Sequence, residues 1–205
     1  MQNNNHNTSS PLPVSLPNIR ILTVSGRIGA GSTSLAKHLA KLLGWKHIEG
    51  GEVFWEAVRK RMQLAPKDTK FRPDEEDLLF EEKQKEILKN EEHIVLESKL
   101  AGFCAKDMPD VFKVAVVCED VTGVDQTQIR IDRLVNREQT TMENAKQEVL
   151  EREVNDLTKW RKLYAENDKD WVYWDKRYYD LVVNTFSHNQ EESLQLVVDA
   201  IGYKK

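Results

Sequence analysis

A chain of 205 residues with 40% hydrophobic and 31% charged residues has an ordinary globular composition and enough length to bury one substantial core. A net charge of −4 argues against a nucleic-acid-binding domain, which is expected to carry a basic face, and no run approaches the roughly 18 apolar residues of a membrane span. Two cysteines, Cys104 and Cys118, offer neither a disulfide framework nor metal-ligand spacing, so a reducing cytoplasm is the expected setting.

Residues 1–17 are rich in Asn, Ser and Pro and lack the basic region and apolar core of a secretory signal. They read as a disordered tail, leaving 18–205 as one domain. The apolar run Ile19–Val24 reads as a strand and Thr33–Leu43 as a helix, with Leu35, Leu39 and Leu42 at helical spacing. Between them lies SGRIGAGSTS, Ser25 to Ser34, which has the spacing of a phosphate-binding loop, G-x-x-x-x-G-K-[ST]. Gly26, Gly31 and Thr33 stand in place, but Ser32 occupies the lysine position.

Such a turn makes an anion site because glycines let backbone N–H groups converge and the helix N-terminus adds its positive dipole end. The expected donor-nucleotide seat is Gly26, Arg27, Ile28, Gly29, Ala30, Gly31, Ser32, Thr33 and Ser34, with the Thr33 hydroxyl offered to Mg²⁺. The plainer alternative is a glycine turn before an N-capped helix. Losing the lysine removes a charged contact of about 1.5–3 kcal/mol and leaves the backbone cradle intact. Arg27, inside the loop, is the preferred substitute cation, with Lys37 as the second choice.

Further along, Lys46–Ile48, His93–Leu96, Val111–Cys118 and Asp180–Asn184 read as strands. Val53–Met62, Asp74–Lys89, Gln126–Glu138, Thr141–Tyr164 and Glu191–Ile201 read as helices. Strands apolar throughout are buried on both faces, so the expected fold is a three-layer α/β/α P-loop NTPase domain with a parallel sheet of about five strands. Glu97 ends an apolar run, where a carboxylate can organise Mg²⁺ and its waters; a plain surface Glu is the alternative. Arg130, Arg133 and Arg137 fall at i, i+3 and i+7 on one helix face, suited to stabilising a transferring phosphoryl group or, more blandly, to a solvated face paired with neighbouring Glu. Trp160, Tyr164, Trp171, Tyr173, Trp174, Tyr178 and Tyr179 form an aromatic cluster that either packs or stacks a base.

Residues 19–185 resemble the cytidylate kinase-like family of P-loop nucleoside monophosphate kinases, in its short archaeal-type branch. Gly26, Gly29, Gly31, Ser32 and Thr33 fit that branch's G-x-x-G-x-G-[ST]-[ST] loop, and the resemblance implies that the missing lysine is a branch feature. Gly50-Gly51-Glu52-Val53-Phe54 resembles the segment that opens the monophosphate-binding region. Glu97-Ser98-Lys99-Leu100-Ala101-Gly102-Phe103 resembles E-[GS]-R-L-[AS]-G-[WF], Arg130 to Glu138 the lid motif R-x-x-R-[IL]-x-x-R-E, and Tyr179 to Thr185 the Y-D-L-V-I-N-T strand.

The resemblance implies an ATP- and Mg²⁺-dependent kinase of CMP or dCMP, with a helical lid at about 125–175, acting as a monomer without nucleic acid or membrane. Arg133, Arg137 and Arg27 are then the expected catalytic cations, Thr33 and Glu97 the metal-holding residues, and Glu52, Arg59 and Lys99 the acceptor-binding ones. Two positions depart from the family: Trp55 and Lys99 stand where it has arginines. They leave open a P-loop kinase for another nucleotide or a small hydroxyl metabolite, and a nucleotide-binding module without catalysis.

Overall fold

The structure, a computed structural model, describes residues 13–63 and 72–204. Five parallel strands, β1 (Ile21–Gly26), β2 (Lys46–Glu49), β3 (Ile94–Glu97), β4 (Val111–Val117) and β5 (Leu181–Asn184), form one sheet in the order β2-β3-β1-β4-β5. Strand β1 is central: β2 and β3 lie on one side of it, and the connection after β3 crosses over it to β4 and β5 on the other. The winding reverses there and opens a crevice at the carboxyl ends of the strands, where open α/β sheets bind ligands.

The alternation of side chains along β1 explains the layers. Leu22 and Val24 join a core with Leu35, Leu39 and Leu43 of α1 (Ser32–Leu43) and Val197 of α8 (Gln190–Ala200). Ile21 faces the other way, onto Leu88 of α3 (Asp74–Asn90) and onto Phe103 and Cys104 of α4 (Ala101–Cys104). Burial on both faces is the three-layer α/β/α arrangement that the continuous apolar runs predict. Helix α1 is bounded at both ends by glycines in left-handed conformation, Gly31 and Gly44.

Helix α2 (Gly50–Met62) begins three residues before its expected start. The side chains of Glu52, Val53 and Trp55 lie outside the described residues, as do residues 1–12 of the expected tail. The tail's last residues are part of the fold: Val14 N–H donates to Leu43 O at 2.9 Å, Trp45 Nε1 donates to Val14 O at 2.7 Å, and Leu16 is buried in the α1-side core. Composition marked this stretch as tail because Pro and Ser dilute its two apolar anchors.

Helix α5 (Thr127–Glu138) leads into a long helical arm where one helix was expected over Thr141–Tyr164. The arm comprises α6 (Met142–Lys146), a π-helical stretch (Gln147–Arg152) and α7 (Glu153–Tyr164). A wider turn shifts the helical phase by up to about 100° per extra residue. Ala145, Val149, Glu153, Asp156 and Trp160 form its buried stripe. The aromatic cluster is packing: Trp160, Trp171 and Tyr173 are buried in the α3-side core, and Tyr173 meets Trp160 and Trp174 edge-on at 5.4 and 4.7 Å.

Candidate active site

The loop after β1 owes its shape to three glycines. A Cβ on Gly26 would stand 3.0 Å from Val116 O, and one on Gly29, at φ +77°, would stand 2.4 Å from Arg130 O, so no side chain fits there. Gly31, at φ +105°, precedes α1 without a side-chain cap, and the first turn of α1 carries no acid. Its first N–H groups and dipole end are therefore left for an anion. Helix α8, by contrast, closes its own N-terminus with a capping box of Asn189 and Glu192.

Both hydroxyls after Gly31 turn to Glu97, at the end of β3. Ser32 Oγ donates to Glu97 Oε1 at 3.0 Å and Thr33 Oγ1 donates to the same oxygen at 3.2 Å. Ser32, in the lysine slot, is thus engaged with a carboxylate. Burial and the nearby Glu49 carboxylate push the Glu97 carboxyl above its ordinary range, and the two hydroxyls only partly offset this. Two crowded acids beside a threonine hydroxyl form an all-oxygen donor set that fits a hard cation such as Mg²⁺.

The arginines divide by their partners. Arg27 Nε donates to Glu153 Oε1 and Oε2, each at 3.1 Å, and Arg27 Nη1 lies 3.1 Å from Asp125 Oδ1. Its guanidinium also stacks over Trp174, 4.4 Å from the ring centre. Burial works against the Arg27 charge, but Glu153 and Asp125 outweigh it and raise the pKa. The expected loop cation is therefore bound to two carboxylates and stacked on an indole. Lys37, the second choice, is exposed and pairs with Glu49 at 3.4 Å.

Arg130 is fully buried and donates to Ile28 O at 2.7 Å and to Asp125 Oδ2 at 2.9 Å. Arg133 Nη1 donates to Thr185 Oγ1 at 2.8 Å, its Nη2 donates to Thr185 O at 2.7 Å, and Thr185 Oγ1 donates to Ala30 O at 2.7 Å. Arg137 is half exposed; it donates to the adjacent Glu138 at 2.5 Å, and its charge also acts on Glu97.

Two cavities flank this centre. One, of about 540 Å³, is bordered by Gly29, Gly31, His38, Arg133, Arg137 and His188. The other, of about 140 Å³, is bordered by Glu97, Lys99, Arg152, Asp156, Phe54 and Phe80. Phe54 and Phe80 stack there with centres 4.2 Å apart. Lys99 Nζ lies 2.8 Å from Asp156 Oδ2; burial pushes the Lys99 ammonium down, and Asp156 opposes the shift. Arg59, expected at this site, is half-buried on α2 and is not among the residues bordering the smaller cavity. The Glu52 and Trp55 side chains, also expected to bear on it, lie outside the described residues.

No family model matches the chain. Curated relatives do: the cytidylate kinase of Methanosarcina mazei is 31% identical over 183 residues, covering 88% of this chain and 95% of that enzyme. The chain belongs to the cytidylate kinase family. The enzyme of that name from Haloarcula marismortui is 30% identical, covering 88% of each chain, and that from Archaeoglobus fulgidus is 27% identical, covering 90% and 96%. Among solved structures, an uncharacterized protein from Eubacterium ventriosum aligns at TM-score 0.60 with 14% identity, covering 90% of this chain and 99% of that one. A gluconokinase from Sinorhizobium meliloti aligns at TM-score 0.56 with 14% identity, covering 89% and 91%. At such identity these structures speak for the fold alone, the three-layer P-loop kinase architecture. Membership of the family makes this chain a nucleotide-using phosphotransferase.

Sequence reasoning missed Asp125, Glu153, Asp156 and Arg72. Glu153 and Asp156 carried one signal: they share the helical stripe of Val149 and Trp160, where a surface acid does not belong. Asp125, before α5, and Arg72, before α3, lie outside any periodic stretch and left none.

Proposed function

We propose that this kinase transfers the terminal phosphoryl group of ATP to the phosphate of CMP or dCMP, in an active site spanning the two cavities. The observation that carries the reading is the placement of Glu97, which borders the smaller cavity while accepting the Ser32 and Thr33 hydroxyls of the phosphate loop. One carboxylate thus touches both halves of a two-substrate site.

ATP phosphates sit on the loop from Gly26 to Ser34, with the nucleoside toward His38 and His188 in the larger cavity. The acceptor phosphate sits toward Lys99 and Arg152. An oxygen of that phosphate attacks the γ-phosphorus, the bond to the β–γ bridging oxygen breaks, and ADP leaves; atoms balance without a covalent enzyme intermediate. Positioning and charge stabilisation do most of the work in such transfers. Arg133 and Arg137 supply the stabilisation, and Arg137 is the better placed to replace the loop lysine because it is half exposed, pairs with the exposed neighbouring Glu138, and its charge acts on Glu97 beside the loop. Mg²⁺ held by Thr33 and Glu97 would neutralise phosphate charge. The helical arm at about residues 125–175 forms the lid.

The names of the curated relatives support CMP as the first acceptor to try. We propose a monomer in the cytoplasm, in keeping with two buried free thiols and with no described helix long and apolar enough to cross a membrane. The test is ADP release by purified protein with Mg-ATP and each nucleoside monophosphate, against a Thr33→Ala control. CMP- or dCMP-dependent release supports the reading, and release no greater than the control for every monophosphate defeats it.

A further inference from the structure

Four charged side chains close a ring behind the phosphate loop. Glu153, the first residue of α7, is 5% exposed, and its two oxygens accept from Arg27 Nε at 3.1 Å each. Its Oε2 also accepts from Arg130 Nη1 at 3.3 Å. Arg130 Nη2 donates to Asp125 Oδ2 at 2.9 Å, and Arg27 Nη1 reaches Asp125 Oδ1 at 3.1 Å. Two guanidinium groups and two carboxylates thus alternate around the ring, with no net charge.

The ring grips the loop backbone. Arg27 is itself a loop residue. Arg130 Nη1 donates to Ile28 O at 2.7 Å, and the Arg130 carbonyl packs where a Cβ on Gly29 would be. Residues 27, 28 and 29 are therefore held from outside, by the start of α5 and the start of α7.

We infer that Glu153 is a positioning residue for the phosphate loop, acting through Arg27 and Arg130; the inference rests on the reading of that loop as the donor-phosphate seat. Backbone N–H groups stabilise an anion best when they already converge before it arrives. This loop has no lysine to add charge at the seat, so the backbone carries a larger share of phosphate binding and its shape matters more. Arg27 serves as a tether instead of a phosphate contact. The π-helical stretch ending at Arg152 sets the helical phase at which Glu153 faces inward.

The test is Glu153→Gln in the full chain, which keeps the side-chain volume and removes the charge. Three quantities are measured: the ATP dissociation constant without acceptor, amide exchange over residues 26–33, and the CMP KM. The expected result is ATP binding weakened about tenfold, the size of a typical coupling between residues of one ion-pair network. Faster exchange over the loop accompanies it, and the CMP KM changes much less. If Glu153 acts through Arg27, Glu153→Gln combined with Arg27→Gln is no worse than the single change, the mark of coupled residues. A folded Glu153→Gln with unchanged loop exchange overturns the inference, as does ATP binding tightened by release of Arg27. Should that variant not fold, Arg27→Lys keeps the charge but loses the two-pronged contact; faster loop exchange supports the inference and unchanged exchange overturns it. Wild-type protein that binds ATP but phosphorylates no monophosphate defeats the acceptor reading and leaves this test intact. Protein that binds no ATP defeats the donor reading, and loop exchange then decides the tether alone.

Discussion

Asp156 joins the helical arm to the end of β3: its Oδ2 lies 2.8 Å from Lys99 Nζ, while its Oδ1 accepts from Arg72 Nη2 at 2.9 Å. All three side chains border the smaller cavity, and Asp156 and Arg72 are almost completely buried. A buried carboxylate between two cations is costly to remove on one side only, because the remaining charges lose their partner. Asp156→Ala is therefore expected to destabilise the fold by about 3–5 kcal/mol, as other broken buried pairs do. Urea unfolding checks this, and a loss under about 1 kcal/mol, the range of an exposed pair, would contradict the buried geometry.

The same residue sets an acid limit. Burial alone would raise the Asp156 carboxyl, but the charges of Lys99, Arg72 and Arg152 hold it down at about 2. An acid more acidic in the folded chain than in the unfolded one stabilises the fold fully above its ordinary pKa near 4. That contribution, about 2 kcal/mol, is lost as pH falls from there through about 2. Unfolding free energy measured across that window in wild type and Asp156→Asn should converge as pH falls. Parallel curves would show that Asp156 is not the group responsible.

Glu97 has the opposite sign. Its carboxyl is pushed up by burial and by Glu49, so ionising it disfavours the fold as pH rises through its pKa, and a bound cation relieves that cost. Mg²⁺ affinity is expected to tighten as pH rises through the same interval. Glu97→Gln should raise the Mg²⁺ concentration needed for half-maximal rate by roughly tenfold, the scale seen when ligand surroundings are altered. An unchanged Mg²⁺ requirement removes Glu97 from the metal site.

Arg133 is braced by Thr185 on one side and the loop carbonyl of Ala30 on the other, which fixes its guanidinium beside the larger cavity. Arg133→Ala is expected to lower kcat by about 10²–10³-fold, typical of losing one preorganised charge-stabilising donor. Thr185→Val, which removes the hydroxyl contacts to Arg133 and to Ala30 O but keeps the Thr185 carbonyl contact to Arg133, should cost less. A kcat within a few-fold of wild type in Arg133→Ala would place the catalytic charge elsewhere, with Arg137 next to be tested.

Gly29→Ala adds a single methyl group where only 2.4 Å separates it from Arg130 O, at a backbone angle that side chains rarely adopt. ATP binding should weaken far more than CMP binding. Equal weakening of both would mean that the loop and the arm shift together.

The fold was legible because its signals are local. Each expected strand lies within two residues of an observed one: β1, β3 and β4 are the continuous apolar runs of buried parallel strands, whereas the edge strand β2 has no buried residue. The loop was legible because its glycines are fixed by steric need. The side-chain partners were not: Arg27 was read as a free cation because Glu153 lies 126 residues away, and no spacing rule links positions that far apart. Lys99 is legible as a departure from the family's arginine, but not the Asp156 that neutralises it. Charge type is written in the sequence, but whether a charge is free for a substrate depends on which acid the fold sets beside it.

The most direct test of the central claim is coupled ADP release from Mg-ATP with CMP, dCMP, UMP, AMP and GMP supplied one at a time. The account predicts turnover with CMP or dCMP well above the other monophosphates, abolished in Thr33→Ala. Turnover of none of them by protein that still binds ATP, or an equal rate in Thr33→Ala, would contradict it.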